Sequence, residues 1–192
     1  ATQAGAPDGL INCIQNPTLE GTNELMKHKD VALILATGGS AMVKAAYSSG
    51  KPAYGVGPGN VPAFIERTAN VQKAVADILY GKTFDNGTLC SSEQAIIADL
   101  PIVEEVKKEV VKNGGYFLSS EEKKKLEAFA VPNGHLNAEI VGKSAHWIAK
   151  NAGFNIPEGT KALVVETKSV GKDEPLSIEK LSPILAFYVV DG

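Results

Sequence analysis

Residues 31 to 56 read VALILATGGSAMVKAAYSSGKPAYGV, and this stretch decides the fold that the sequence predicts. The continuous apolar run at 31–36 is typical of a buried parallel strand, and the turn Thr37-Gly38-Gly39-Ser40 follows it. A helical segment lies at 41–47, and the next strand lies at 51–56. Because strand, helix and strand alternate, we predict an α/β fold with mostly parallel sheets, flanking helices and right-handed crossovers.

The same alternation continues along the rest of the chain. The segment GVGPGNVP at 55–62 is the richest in glycine and proline, so we interpret it as a hinge or a crossing between two lobes. The run SSEE at 119–122 resembles a capping box at the start of a helix. Further helices are predicted at 17–29, 71–80, 102–112, 119–129 and 144–151, and further strands at 63–66, 95–98, 161–166 and 184–190.

The bulk composition describes an ordinary globular protein. The chain has 192 residues, 44% of them hydrophobic, and a formal net charge of −3, which allows one large domain or two small lobes. Its mixed charges suggest neither nucleic acid nor an anionic membrane as a partner, and no apolar run reaches the roughly 18 residues of a membrane span. Two cysteines form no disulfide framework, which favours a reducing, cytoplasmic location. Three histidines lie at no metal-ligand spacing, so we predict no metal site.

A second stretch, KTFDNGTLCSSEQ at 82–94, contains a cysteine in a place where chemistry can occur. Cys90 ends a glycine-containing turn and precedes an apolar, strand-like run, so its thiol can be exposed and held by rigid neighbours. Free cysteine is also among the most buried residue types. From the residues alone, Cys90 is therefore either a reactive thiol or a small packing residue.

The turn Thr37-Gly38-Gly39-Ser40 is the second candidate site. Between a strand and a helix it presents free backbone N–H groups and the positive end of the helix, which suits a phosphate or a nicotinamide. Its spacing matches neither the G-x-G-x-x-G nor the P-loop pattern. Glycine also serves such turns for steric reasons alone, so a binding role and a purely structural role both stay open.

Four segments, taken in order, carry a resemblance to a known family. Their order and spacing resemble the aldehyde dehydrogenase superfamily in its CoA-acylating branch. The similarity is greatest to the aldehyde dehydrogenase half of the bacterial bifunctional aldehyde–alcohol dehydrogenases, and it covers about residues 4 to 190. The four segments are TGGS at 37–40, GVGPGN at 55–60, TFDNGTLCSSEQ at 83–94 and EKLSP at 179–183.

The resemblance implies a two-lobed molecule with an aldehyde dehydrogenase-like fold. Residues 1–56 would be the C-terminal part of a Rossmann-like, NAD-binding lobe, and residues 57–192 would form the catalytic lobe that carries the thioester. Gly38, Gly39 and Ser40 match the turn that approaches the cofactor in this family. Glu179 matches the acid that hydrogen-bonds the ribose next to the nicotinamide.

The resemblance also makes Cys90 the expected nucleophile. Its thiolate would add to an aldehyde, hydride would leave to NAD, and the CoA thiol would attack the resulting thioester to release acyl-CoA. Acyl-CoA and NADH would drive the same steps in reverse, and the backbone N–H of Cys90 would help to hold the oxyanion. The implied small molecules are thus NAD, CoA, acyl-CoA and a short aldehyde such as acetaldehyde. The full-length protein is expected to be a homo-oligomer.

One departure from the family pattern indicates the acceptor. Hydrolytic members carry a glutamate that activates water against the thioester, whereas the corresponding stretch at 55–60, GVGPGN, contains no acid. Without a general base for water, the thioester should survive until a thiol attacks it, which fits CoA. The resemblance further implies cofactor-lobe strands before residue 1 and a family motif after residue 192. We therefore expect a fragment without substantial turnover of its own.

Two alternatives remain beside this interpretation. A γ-glutamyl phosphate reductase shares the fold and the thioester cysteine but reduces an acyl phosphate, and the sequence FDNG at 84–87 argues against it. The other alternative is a catalytically silent assembly module, since the bifunctional relatives form filaments. In that case Cys90 should show neither enhanced reaction with iodoacetamide nor protection by CoA esters.

Overall fold

The computed structural model describes all 192 residues, and the predicted α/β class with parallel sheets and flanking helices is confirmed. The chain forms two compact units, Ala1–Pro58 and Gly59–Gly192, which are described separately. None of the helices combines the length and the apolar character that crossing a membrane requires.

The first unit is built on a pair of parallel strands with two helices. Thr18 begins the first helix, because its side-chain oxygen accepts a hydrogen bond from the N–H of Gly21 at 3.0 Å. Met26, Ala36 and Ala46 form the small buried core of the unit. The elements are α1 (Leu19–Lys27), β1 (Ile34–Thr37), α2 (Ser40–Tyr47) and β2 (Ala53–Val56), preceded by a 3-10 turn at Thr2–Ala4.

The strand predicted at 31–36 is shorter and less buried than expected. It begins at Ile34, and Leu35 is 75% exposed whereas Ala36 is buried. The two-stranded sheet packs against α2, so the residues of one face are covered and those of the other face meet solvent. Continuous apolar sequence therefore does not make this strand buried on both faces, and that part of the prediction is wrong.

The second unit contains a five-stranded parallel sheet in the order β3-β4-β7-β6-β5. Helices α3 and α4 pack on one face around Val75, Val106 and Phe187, and α5 and α6 pack on the other face around Leu126 and Ile148. The elements are β3 (Val61–Ile65), α3 (Val71–Thr83), β4 (Glu93–Asp99), α4 (Val103–Lys112), β5 (Gly115–Phe117), α5 (Ser120–Ala130), α6 (Ala145–Asn151), β6 (Ala162–Glu166) and β7 (Ile184–Val190), with 3-10 turns at Phe84–Gly87, Leu100–Ile102, Pro132–Gly134, Ala138–Ile140 and Pro175–Ser177.

The predicted helices and strands of the second unit are all present, with ends that differ by a few residues. The capping box is confirmed: the N–H of Ser119 donates to Glu122 at 2.8 Å, and the Ser119 hydroxyl accepts from the N–H of Glu122 at 3.3 Å. The sequence pattern does not predict strand β5, because its three residues are too few to show an alternation. The pairing of β3 with β4 is irregular at Pro62, which has no N–H to donate.

Candidate active site

Helix α3 leads the chain into the turn that holds Cys90. The Asn70 side chain caps the first turn of the helix by accepting from the N–H of Lys73 at 3.0 Å. Buried Val71, Val75 and Ile78 fix the helix against the sheet. The start of the cysteine turn is therefore anchored to the core of the second unit.

The cysteine turn has an unusual backbone. Asp85, Asn86 and Gly87 have φ values of 47°, 51° and 74°, so three consecutive residues occupy the left-handed region. Such conformations cost about 1 kcal/mol or more for residues with a side chain, and they persist where surrounding contacts impose them. Here the Thr88 hydroxyl donates to the Asp85 carboxylate at 2.7 Å, and the Asn86 amide donates to the Gly142 carbonyl at 3.0 Å. The turn is thus held in one shape.

This shape leaves Cys90 exposed, so the alternative of a small packing residue is not what the structure shows. The backbone N–H of Cys90 makes no hydrogen bond within the chain. It is free to donate to an oxyanion that develops on a carbonyl attacked by the thiol. The turn therefore presents an exposed thiol and a free backbone donor on the same residue.

Gly59 and Glu179 meet Cys90 at one place. The N–H of Gly59 donates to Oε1 of Glu179 at 3.0 Å, across 120 residues of sequence. A Cβ atom at position 59 would lie well under 3.0 Å from the Cys90 carbonyl oxygen and 3.5 Å from Oε1 of Glu179. Only glycine allows this approach of the two segments. Two of the predicted site residues, Cys90 and Glu179, are thus brought together in the second unit.

The other predicted site residues lie in the first unit, at the start of α2. Gly39 is the N-cap of this helix, no side chain caps the helix, and Ser40 is exposed. The N–H of Gly38 donates to the carbonyl of Val56 at 3.1 Å, which fixes the turn against β2. Nothing lies within 4 Å of the position that a Cβ of Gly39 would take. The N–H groups of Ser40 and Ala41 make no hydrogen bond within the chain, whereas the N–H of Met42 donates to the Gly39 carbonyl at 3.0 Å. Binding by Gly38, Gly39 and Ser40 stays a prediction.

Sequence reasoning missed three buried polar side chains beside the cysteine turn. Lys82, Gln94 and Lys180 are each 0% exposed. Burial lowers the pKa of Lys82 to about 8, although the charges of Glu93 and Glu179 act in the opposite direction. Burial, together with the charge of Lys82, lowers the pKa of Lys180 to about 7. The only available signal was position: Gln94 and Lys180 lie within the family-like segments 83–94 and 179–183, and Lys82 immediately precedes the first of these.

Because Lys82 is buried, the free energy of unfolding should rise as the pH is raised through the alkaline range. Its pKa is about 8 in the folded protein, against the ordinary value of 10.5 in the unfolded chain. Between these values the unfolded state binds more protons, so the free energy of unfolding rises with pH. From pH 8 to pH 10.5 the native protein should gain about 3 kcal/mol relative to Lys82→Met, measured by urea unfolding at several pH values.

The Lys124→Met variant is the matched control, because it makes the same substitution at a lysine that is exposed to solvent. It should follow the native protein at every pH. Parallel curves for native protein and Lys82→Met would contradict the prediction.

Comparison with known proteins supports one family. The model of the aldehyde dehydrogenase family matches residues 1–115. An aldehyde-alcohol dehydrogenase of Streptococcus pneumoniae is 51% identical over 97% of this chain and 22% of its own length. The crystal structure of an acetylating aldehyde dehydrogenase from Geobacillus thermoglucosidasius is 59% identical with a TM-score of 0.95, covering 100% of this chain and 42% of that one.

A third similar protein is a Rhodopseudomonas palustris propionaldehyde dehydrogenase, whose crystal structure contains bound CoA and an acylated cysteine. It is 33% identical with a TM-score of 0.86, covering 99% of this chain and 43% of that one. The chain thus spans about a fifth to less than half of the length of these relatives. The resemblance found in the sequence is confirmed, and the chain belongs to the aldehyde dehydrogenase family.

Proposed function

We propose that this chain carries the thioester-forming part of an NAD-dependent, CoA-acylating aldehyde dehydrogenase that interconverts a short aldehyde, such as acetaldehyde, and acyl-CoA. The observation that carries the proposal is the meeting of Cys90, Gly59 and Glu179. Cys90 has an exposed thiol and a free backbone N–H, and its carbonyl group lies against Gly59 of the glycine segment, residues 55–60. The N–H of Gly59 donates to the Glu179 carboxylate. The residues from Gly55 to Asn60 contain no acid.

In the reductive direction, the Cys90 sulfur attacks the carbonyl carbon of acyl-CoA. The S–C bond to Cys90 forms, the bond to the CoA sulfur breaks, and the CoA thiolate leaves and takes a proton. The N–H of Cys90 donates to the carbonyl oxygen while negative charge develops on it. Addition of hydride to the Cys90 thioester then releases the aldehyde and returns the thiolate; oxidation is the reverse.

Each unit, taken by itself, contains residues that suit a part of a nicotinamide nucleotide. Oε1 of Glu179 accepts from Gly59, and the other carboxylate oxygen makes no hydrogen bond within the chain, so it can accept from a ribose hydroxyl. In the first unit, the free N–H groups of Ser40 and Ala41 at the start of α2 suit an anionic or carbonyl group, and we propose Gly38, Gly39 and Ser40 as the contact residues. When bound, the nicotinamide supplies or accepts the hydride. We propose NAD as this cofactor.

The absence of an acid from the glycine segment supports CoA over water as the acceptor. Water needs a general base at the thioester, and in this proposal the Glu179 carboxylate is engaged by Gly59 and by the ribose. The CoA thiol is the better nucleophile near neutral pH. The acylated cysteine and bound CoA of the Rhodopseudomonas palustris enzyme support the same acceptor.

The remaining features of the proposal follow the family relationship. We propose residues 1–56 as the C-terminal part of the NAD-binding lobe and residues 57–192 as the catalytic lobe. The full-length protein would be a homo-oligomer that acts on small molecules in the cytoplasm. The similarity to acetylating aldehyde dehydrogenases supports this assignment.

Acyl transfer to Cys90 tests the function directly. Protein incubated with acetyl-CoA should carry one acetyl group on Cys90, located by mass spectrometry of its peptides. Cys13 is also exposed and serves as an internal control that should remain unmodified. In Cys90→Ser the adduct should disappear.

Acetyl phosphate, supplied at the same concentration, distinguishes the alternatives. It should label Cys90 at least about tenfold more slowly than acetyl-CoA, in keeping with specific binding of the CoA ester. Faster labelling by acetyl phosphate would favour a reductase of acyl phosphates. No labelling by either compound, with Cys90 no more reactive than Cys13 towards iodoacetamide, would favour a silent assembly module.

A further inference from the structure

The Gln94 side chain connects three segments beneath the cysteine turn. Its amide nitrogen donates to the carbonyl of Ser92 at 3.3 Å, on the turn that follows Cys90. Its amide oxygen accepts from the backbone N–H of Lys180 at 3.1 Å and from the Lys82 ammonium at 3.3 Å. The nitrogen and the oxygen of this one amide group therefore connect the cysteine turn to Lys180, the residue after Glu179.

A second set of hydrogen bonds anchors Lys180. Its ammonium donates to the backbone carbonyls of Gln94, Leu176 and Ile178 at 3.2, 2.9 and 2.8 Å. Lys180 thus contacts Gln94 through both its backbone N–H and its side chain. Glu179, next to it, cannot move away from β4 without breaking these bonds.

A contact with only a structural role would not need this network of buried polar groups, which costs free energy to form. Taking two ammonium groups out of water is unfavourable, and apolar side chains of similar volume often serve a core equally well or better. What the polar network supplies is geometry. The Lys82 ammonium requires an oxygen as its partner, so it fixes which way the Gln94 amide faces, and the amide nitrogen must then point to Ser92.

We propose that Gln94, together with Lys180, is a positioning residue that sets the distance between the Cys90 thioester and the cofactor held by Glu179. This inference rests on the proposed function. Gln94 contacts no substrate; it acts through Ser92 on one side and through Lys180 on the other. Hydride transfer depends on this distance, because a misplacement of about 1 Å can cost about a hundredfold in rate. Acylation uses the thiol and the N–H of the same residue, Cys90, so it does not depend on the distance from Cys90 to Glu179.

The test variant is Gln94→Glu in the full-length protein. A glutamate keeps the volume and the acceptor oxygen for Lys82 and Lys180, but it loses the donor to Ser92. Acetylation of Cys90 by acetyl-CoA should remain within about twofold of native, whereas reduction of the preformed acetyl thioester by NADH should slow about tenfold or more. The exposed Gln72→Glu variant makes the same chemical change elsewhere and should leave both rates unchanged.

Lys180→Met provides a second route if Gln94→Glu lowers the melting temperature. Methionine keeps most of the side-chain length and removes a buried charge, so the fold should tolerate it. The three bonds from the ammonium are lost, and the reduction step should again slow selectively.

The outcomes separate the two hypotheses. A native protein that neither acetylates Cys90 nor oxidises NADH with the acetyl thioester overturns the proposed function and this inference with it. A native protein that performs both steps, together with variants that leave the two rates unchanged or slow them equally, overturns this inference alone. A selective loss of the reduction step supports it.

Discussion

Replacing Gly59 with alanine should disturb the cysteine turn more than any surface substitution of similar size. The added Cβ would lie well under 3.0 Å from the Cys90 carbonyl oxygen, a backbone atom that no side-chain rotation can move. The two segments must separate, which we expect to cost about 1 to 3 kcal/mol in the free energy of unfolding. The same shift strains the hydrogen bond from Gly59 to Glu179.

The displacement of Cys90 should also reach the chemistry. We expect acetylation of Cys90 by acetyl-CoA to slow about tenfold or more, because the clash falls on the carbonyl group of Cys90 itself and distorts the residue that supplies both the thiol and the N–H. The measurement is the rate of adduct formation on Cys90, with the stability taken from urea unfolding of the same variant.

Gly57→Ala is the matched control for Gly59→Ala. Both glycines lie in the same Gly/Pro-rich segment, and neither has a left-handed φ, but a Cβ at position 57 meets nothing within 4 Å. Gly57→Ala should therefore remain close to the native protein in stability and in acetylation rate. Equal behaviour of the two variants would show that the close approach at Gly59 has no functional consequence.

Local sequence patterns were sufficient to predict most of the fold. Apolar runs such as 162–165 lie inside the sheet, and their alternation with amphipathic helices such as Val103–Lys112 required parallel strands. The exposed Leu35 shows where this reasoning fails. A run of apolar residues does not reveal how many faces of its sheet are covered, because the covering comes from other segments.

The candidate site was predictable only in part. Cys90 and Glu179 could be identified through motifs, but their meeting at Gly59 depends on the approach of segments 120 residues apart. Gln94 could not be identified as a link, because a glutamine at the start of a strand has no local property that distinguishes it. Its proposed role depends on Lys82 and Lys180, which only the folded chain brings to it together with the nearby Ser92.

Gly87→Ala should be the most destabilising of the substitutions considered. Gly87 has a φ of +74°, which costs alanine about 1 to 2 kcal/mol. A Cβ at this position would also lie 2.8 Å from the carbonyl carbon and oxygen of Ser182 and 2.9 Å from the carbonyl oxygen of Lys82. These atoms belong to the backbone of two segments, so the clash can be relieved only by moving one of the two backbones. We expect a total loss of about 3 kcal/mol or more in the free energy of unfolding.

Gly134→Ala separates the two causes. Gly134 has nearly the same φ, +77°, but a Cβ there meets nothing within 4 Å, so its variant should lose only the conformational part, about 1 kcal/mol. Urea unfolding of both variants gives the packing contribution at Gly87 by difference. If the two variants agree within about 0.5 kcal/mol, the turn is not wedged between Lys82 and Ser182. If they differ as expected, contact with these two backbone segments, and not the conformation of Gly87 alone, holds the turn that presents Cys90.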